Sequence, residues 1–261
     1  MIPTQNSRLE TDLATVRKAR IFFSHHSVGE NVLQGIQKVV ADSGAAQLKI
    51  ATLEEAATTS GAALLHGSGG ENKDPASKIR FFESTILGNR DLRPDVAFMK
   101  FCFVDFSPST DVDGLFAQYQ RTILKLKRER PDIRFAHVTA PLTRQQNDLK
   151  STLRRALGLQ VWGDASNAKR YAFNQKLVQA FPSDPVFDLA GAESIGPDGT
   201  PVSFAFEGKR LPSMVAGYTD DDGHLNALGQ RVAGAAAIRF LGAATRPPQE
   251  AIASTPPSRI P

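Results

Sequence analysis

Five short runs, at 19–24, 48–53, 95–104, 133–140 and 185–189, are rich in Val, Ile and Phe, and several are apolar almost throughout. A strand with one wet face alternates polar and apolar residues. A run without that alternation must be covered on both faces, which points to a parallel sheet held between two layers of helices. The stretches between the runs have helical spacing, over 8–18, 28–42, 76–88, 111–129, 146–157, 164–181 and 226–241. In the last of these Leu225, Leu228, Val232, Ala235, Ala236 and Phe240 share one face. The alternation predicts an α/β fold, a three-layer α/β/α sandwich around a central, mostly parallel five-stranded sheet with right-handed crossovers. Ligands of such folds gather outside the carboxyl ends of the strands, so the residues just after each strand are the ones to inspect.

Of the 261 residues, 41% are hydrophobic and 22% charged, which excludes wholesale disorder. No apolar run approaches the ~18 residues of a membrane span. Cys102 is the single cysteine, so neither an internal disulfide framework nor a multi-cysteine zinc site is expected. A net charge of +4 is too mild to argue for nucleic acid. The densest basic stretch, 125–130, is interrupted by Glu129 and precedes Pro131, as at the solvated end of a helix. The first twenty residues lack an apolar core segment, so no secretory leader is expected and the compartment stays open. Residues 1–7 are expected to be a loose N-terminus and 8–243 one domain. Residues 244–261, with five of the sixteen prolines, are expected to be a disordered tail.

Two loops carry chemistry. The first run ends in Ser24-His25-His26-Ser27-Val28-Gly29-Glu30-Asn31 and leads into a helix. A hydroxyl there sits near backbone N–H groups and the positive end of a helix dipole, which can stabilise a developing oxyanion. The same Ser27-x-x-Glu30 spacing also fits a capping box, in which the serine only satisfies a helix amide. Before the last helix runs Asp220-Asp221-Asp222-Gly223-His224-Leu225-Asn226. A serine needs a base, histidine is the usual one near neutral pH, and a carboxylate holds its other ring nitrogen. Asp221 and His224 have the spacing to meet across a tight turn, with Asp220 as a competing orienter. A plain capping turn and a cation site built from the three aspartates are the alternatives.

Together the two segments resemble the SGNH (GDSL-like) hydrolase superfamily. There a serine block follows the first strand and an Asp-x-x-His block leads into the last helix. His25-His26-Ser27-Val28 stands where that family usually has Gly-Asp-Ser-Leu, and Asp221-Asp-Gly-His224 is the more specific half. The resemblance spans residues 19–241. It implies a flavodoxin-like sandwich and a cofactor-free, metal-free serine esterase with Ser27 as nucleophile, His224 as base and Asp221 as its orienter. In Leu65-His66-Gly67-Ser68-Gly69-Gly70-Glu71-Asn72, the family's second block implies Gly70 as an oxyanion amide and Asn72 as a side-chain donor. A flexible Gly-rich loop is the alternative there. Asp105 matches the last position of the third block, and Val104 takes the place of its usual asparagine. His26 is expected to line the pocket with Asp105.

The implied reaction is cleavage of a short acyl ester, such as an O-acetyl group on a carbohydrate or other polar compound. An acyltransferase and an inactive carbohydrate-binding relative are the alternatives. Expected partners are a small-molecule or carbohydrate ester, with no nucleic acid. A three-histidine metal site from His25, His26 and His224 lacks supporting helical spacing. Elsewhere, Cys102 reads as an inert core thiol, Lys100 as a mark of a partly wet edge, and His137 as a satisfied strand histidine. Arg144 is expected to hold an anionic group or a surface ion pair. Residues 190–217 are expected to form one wall of the substrate pocket.

Overall fold

β1 (Arg20–Ser24) runs through the centre of the molecule, with Ile21 and Phe23 facing one layer and Phe22 the other. Both faces of the strand are therefore dry, as its unbroken apolar character requires. The computed structural model describes residues 3–246. β2 (Ile50–Thr52), β3 (Ala63–Gly67), β4 (Val96–Met99) and β5 (Arg134–Phe135) join β1 in a five-stranded sheet of order β2-β3-β1-β4-β5, parallel throughout. After Ala136 the fifth strand resumes as β6 (His137–Val138), which pairs in parallel with β7 (Val186–Phe187). If β5 and β6 are read as one interrupted strand and the short edge strand β2 is set aside, the order is that of a flavodoxin-like doubly wound sheet. Its switch point lies beside β1.

α1 (Pro3–Val16), α2 (Val28–Ser43) and α8 (Ala227–Ala244) cover one face; α3 (Pro75–Gly88), α4 (Val112–Glu129) and α6 (Trp162–Ala180) cover the other. α5 (Leu149–Ala156) and α7 (Leu189–Ser194) are short connecting helices. Among the described residues no helix is long and apolar enough to cross a membrane.

α2 and α8 touch backbone to backbone. A methyl group added at Gly35 would lie 1.9 Å from the Gln230 carbonyl oxygen, and one at Gly234 would lie 2.2 Å from the Gly35 carbonyl carbon. Only the absence of a Cβ permits that approach. It brings together the helices whose N-terminal ends carry the two loops singled out above.

The sheet differs from the sequence-based expectation in membership. β3 was not expected as a strand, since residues 65–67 read as part of the Gly-rich loop. Ala63-Leu-Leu-His66 contains no β-branched residue and favours helix locally. Its strand form comes from pairing with β1, residue for residue from Arg20–Ala63 to Ser24–Gly67. The run at 185–189 instead pairs only with β6. β4 ends at Met99 rather than 104, because the chain turns at Phe103–Asp105 in a capping turn. At the N-terminus α1 begins at Pro3, so residues 3–7 are helical and not a loose end. Proline suits a first helical turn, where its missing N–H has no partner to lose. The expected tail falls almost wholly on 247–261, outside the described residues.

Candidate active site

Ser27 caps α2 with φ 39° and ψ −93°, a positive φ that a residue with a Cβ seldom adopts. Its side chain makes no cap hydrogen bond, so the capping-box alternative does not hold. Its carbonyl oxygen accepts instead from the amides of Glu30 and Asn31. Strain of this kind costs on the order of 1–3 kcal/mol and persists where surrounding structure enforces it.

The freed hydroxyl lies 3.1 Å from Nε2 of His224, and Nδ1 of His224 lies 2.6 Å from Oδ2 of Asp221. The other Asp221 oxygen accepts the backbone N–H groups of Gly223 (3.1 Å) and His224 (2.8 Å). Partial burial pushes the Asp221 carboxyl up. The hydrogen bonds from His224 and Gly223 outweigh that and hold it at about 2, so it is ionised across the neutral range.

The neighbouring aspartates point elsewhere. Asp220 accepts from Asn226 Nδ2, and Asp222, at φ 77°, accepts from Arg144 Nε at 2.7 Å. Three carboxylates with three separate partners are not a cation cage, and Asp220 does not orient His224. Arg144 thus braces this turn through an ion pair, and its amide donates to the Asp222 carbonyl at 2.8 Å.

The two loops meet through α2 and α8. Besides the glycine contact, Asn31 Oδ1 in the first turn of α2 accepts the Leu225 amide at 3.1 Å. Asn226 caps α8 by accepting from Leu228 and Gly229. Phe103 stands edge-on to the His224 ring at 5.2 Å, and a Cβ at Gly223 would collide with it at 2.6 Å. The Phe103 carbonyl is held in turn by the buried Arg170 guanidinium at 2.7 Å.

The loop after β3 approaches Ser27 from the other side. His26 Nε2 lies 2.9 Å from the Gly69 carbonyl oxygen, so His26 ties the two loops together. Gly70, at φ 74°, rests on the start of α3, where a Cβ would lie 2.6 Å from the Lys78 amide nitrogen. The exposed Asn72 turns its carbonyl oxygen to Lys78 Nζ at 2.9 Å.

Asp105 departs from its expected role. Its side chain is fully buried, and it accepts from Lys78 Nζ (2.7 and 2.8 Å), the Lys73 amide (2.9 Å) and the Cys102 amide (2.7 Å). With its oxygens so occupied it locks the loop at 72–73 to the turn after β4 and does not face a substrate.

Several residues lie where sequence reasoning did not put them. Lys100 is buried rather than at a wet edge, donates to the Phe101 carbonyl, and burial lowers its pKa. Lys78 and Arg170, both buried, were not singled out; their signal was a cation on the same helical stripe as Phe82 and Phe173 respectively. His137 is buried between Tyr119 Oη and Asp184, and Cys102 is a buried free thiol. Residues 190–217 fold as α7 and a hairpin of β8 (Ser203–Phe206) and β9 (Lys209–Pro212), which packs on α6 and α7. The hairpin helps line a cavity of about 400 Å³ with Arg155, Leu159 and Phe206 in its wall.

No protein-family model and no curated protein matches the chain. Solved structures similar to it include a candidate platelet activating factor from Streptococcus pneumonia, 13% identical, covering 91% of this chain and 90% of that one at TM-score 0.48. A candidate lipolytic protein of the G-D-S-L family from Desulfitobacterium hafniense is 11% identical over 85% of this chain and 99% of its own, at TM-score 0.44. The periplasmic domain of a lipopolysaccharide acetyltransferase from Salmonella ser. Paratyphi A is 13% identical over 83% and 80%, at TM-score 0.43. The fold stands on its own strand order and layering.

Proposed function

We propose that the protein is a serine hydrolase of the SGNH type that cleaves carboxylic esters through an acyl-enzyme on Ser27. One observation carries this reading: an unbroken Asp221–His224–Ser27 hydrogen-bond chain ends on a strained hydroxyl that its helix does not use as a cap. His224 Nε2 takes the hydroxyl proton as Oγ attacks the ester carbonyl. Asp221 keeps the other ring nitrogen protonated and offsets the imidazolium charge. The amides of Ser27, at the N-terminus of α2, and Gly70 are the donors for the oxyanion, with the Asn72 NH2 as a third. Asn72 would then replace the side chain that Val104 cannot supply. The alcohol leaves with the proton from His224, and water, activated by the same imidazole, releases the acid. The substrate class is a short acyl ester on a polar compound such as a carbohydrate; attack by a second alcohol in place of water would make the same site an acyltransferase.

The test is labelling by a fluorophosphonate together with turnover of short-chain nitrophenyl esters, in the wild type and in Ser27→Ala. The wild type should label and turn over. The variant should lose labelling and ~10⁴–10⁶ in kcat. Labelling that survives Ser27→Ala would place the nucleophile elsewhere, and a wild type inert across a broad ester panel would refute the esterase. Ester product formed with an added alcohol, in excess over hydrolysis, would select the transferase.

A further inference from the structure

One strand over from the Ser27 loop stand two imidazoles that ester chemistry does not use. His25 directly follows β1, and His66 lies in β3 opposite Phe23. His25 Nε2 and His66 Nδ1 are 3.1 Å apart, with the rings inclined by only 22° and their centroids 5.2 Å apart. Glu30, in the first turn of α2, brings a carboxylate oxygen to the same place. One ligand atom from each of the three residues lies within 4.8 Å of the other two.

The spacing suits a metal ion. With zinc–nitrogen bonds of ~2.0–2.1 Å in a tetrahedron, two ligand nitrogens stand roughly 3.3–3.4 Å apart. The imidazole pair is within a few tenths of an ångström of that separation. The carboxylate must close in further, and Glu30 is exposed and sits on a flexible stem. Two histidines and one glutamate, with the fourth position open to water, form a known zinc donor set.

The surrounding charge favours a cation on the His66 side. Glu30, Glu54 and Glu55 all face His66 and favour positive charge there. Lys100 and His26 act on His25 in the opposite sense. Burial is nonetheless the main influence on both rings; it lowers His66 and takes His25 down to about 3.

A bare N–H···N bond between the rings accounts for less. It does not explain the Glu30 carboxylate that stands beside the pair.

We propose that His25, His66 and Glu30 form a divalent-cation site, with zinc favoured by the donor set. A bound ion would clamp together the end of β1, the end of β3 and the first turn of α2. It would stiffen the loop that holds Ser27 without entering the hydroxyl's own chemistry.

Full-length protein stripped with a chelator and titrated with Co²⁺ should bind one equivalent, with the intense visible absorption of a tetrahedral site. Zn²⁺ should displace the Co²⁺ and raise the melting temperature. His66→Ala and Glu30→Gln should each weaken binding by at least the ~10–100-fold that outer-shell changes cost. Ser27→Ala should bind as the wild type does, which separates this site from the serine-hydrolase reading. Circular dichroism would confirm that His66→Ala folds; if it does not, the exposed Glu30→Gln decides alone. No saturable one-equivalent Co²⁺ binding in the wild type, or unchanged affinity in the folded variants, would overturn the proposal.

Discussion

Asp221 on the rim of the sheet and Glu193 in the layer beneath it are both carboxyl groups, and their surroundings move them in opposite directions. Asp221 is half exposed and held at about 2, because His224 and Gly223 donate to it. Glu193 is 1% exposed and burial pushes it up to about 8. One of its oxygens accepts from the Leu142 amide at 2.6 Å and the other has no partner. The rim therefore keeps a charge that can work on a neighbour, while the floor keeps a proton. The floor also holds the Lys78–Asp105 pair and Arg170, buried ions that fasten the loops above them. The Asp221–His224 pair is set by one short local turn, and the floor groups by contacts between distant elements.

The contrast is most exposed to test in the floor. Lys78→Met or Asp105→Ala alone should cost ~3–5 kcal/mol by leaving a buried charge unpaired. The double replacement by apolar residues should recover most of that in urea unfolding. Single variants no worse than the double would mean that the pair is not desolvated as described.

Glu193 gives the next largest effect. Its folded pKa lies above the unfolded value of about 4.5, so the folded protein holds an extra proton between about 4.5 and 8. Stability from this group is fully present below 4.5 and declines as pH rises to 8. Glu193→Gln should flatten that slope, measured as the unfolding midpoint across the range. An unchanged slope would show that Glu193 ionises normally.

Gly234→Ala tests how the rim is assembled. Its methyl group would meet the backbone of Gly35, which cannot rotate away, at a cost of ~1–3 kcal/mol. If α2 and α8 deliver Ser27 to His224, ester turnover should fall further than the loss of folded protein accounts for. Turnover that tracks folded fraction alone would separate the helix contact from the site.

The smallest effect belongs to Asp221. Its folded pKa is depressed, so its contribution is present above the unfolded value near 3.8 and is lost as pH falls toward 2. Solvent screening at this exposed group keeps the contribution small. Asp221→Asn should therefore barely move the acid-unfolding midpoint while abolishing most turnover; a large shift in that midpoint would mean that the rim carries structural charge.

Much of this was legible in the chain itself. The dry faces of β1 and the Asp221-x-x-His224 spacing are local patterns that periodicity reads well, whereas the stripe expected on the last helix is not the face that packs: Leu228 is exposed, and Ala233, Gly234, Ala237, Ile238 and Leu241 are buried instead, because the glycine contact with α2 sets which side turns inward. β3 was hidden because Ala and Leu carry no strand preference of their own, and only hydrogen bonding to β1 makes them one. Lys78 and Arg170 were hidden for another reason. A buried cation and a surface cation are the same letter, and what separates them is a partner many residues away, such as Asp105 for Lys78. The capping-box motif at Ser27 pointed to a helix cap, and the backbone turned the hydroxyl to His224 instead.

The order of residues determined the layers, the parallel sheet and which side chains stand at its carboxyl edge, since each follows from which faces must be kept from water. Only the tertiary structure decided that one hydroxyl meets one imidazole across 197 positions of chain, and that Asp105 is a buried anchor. Hydrogen bonding and proton affinity depend on distance and on excluded solvent, and neither exists until the helices have closed on one another.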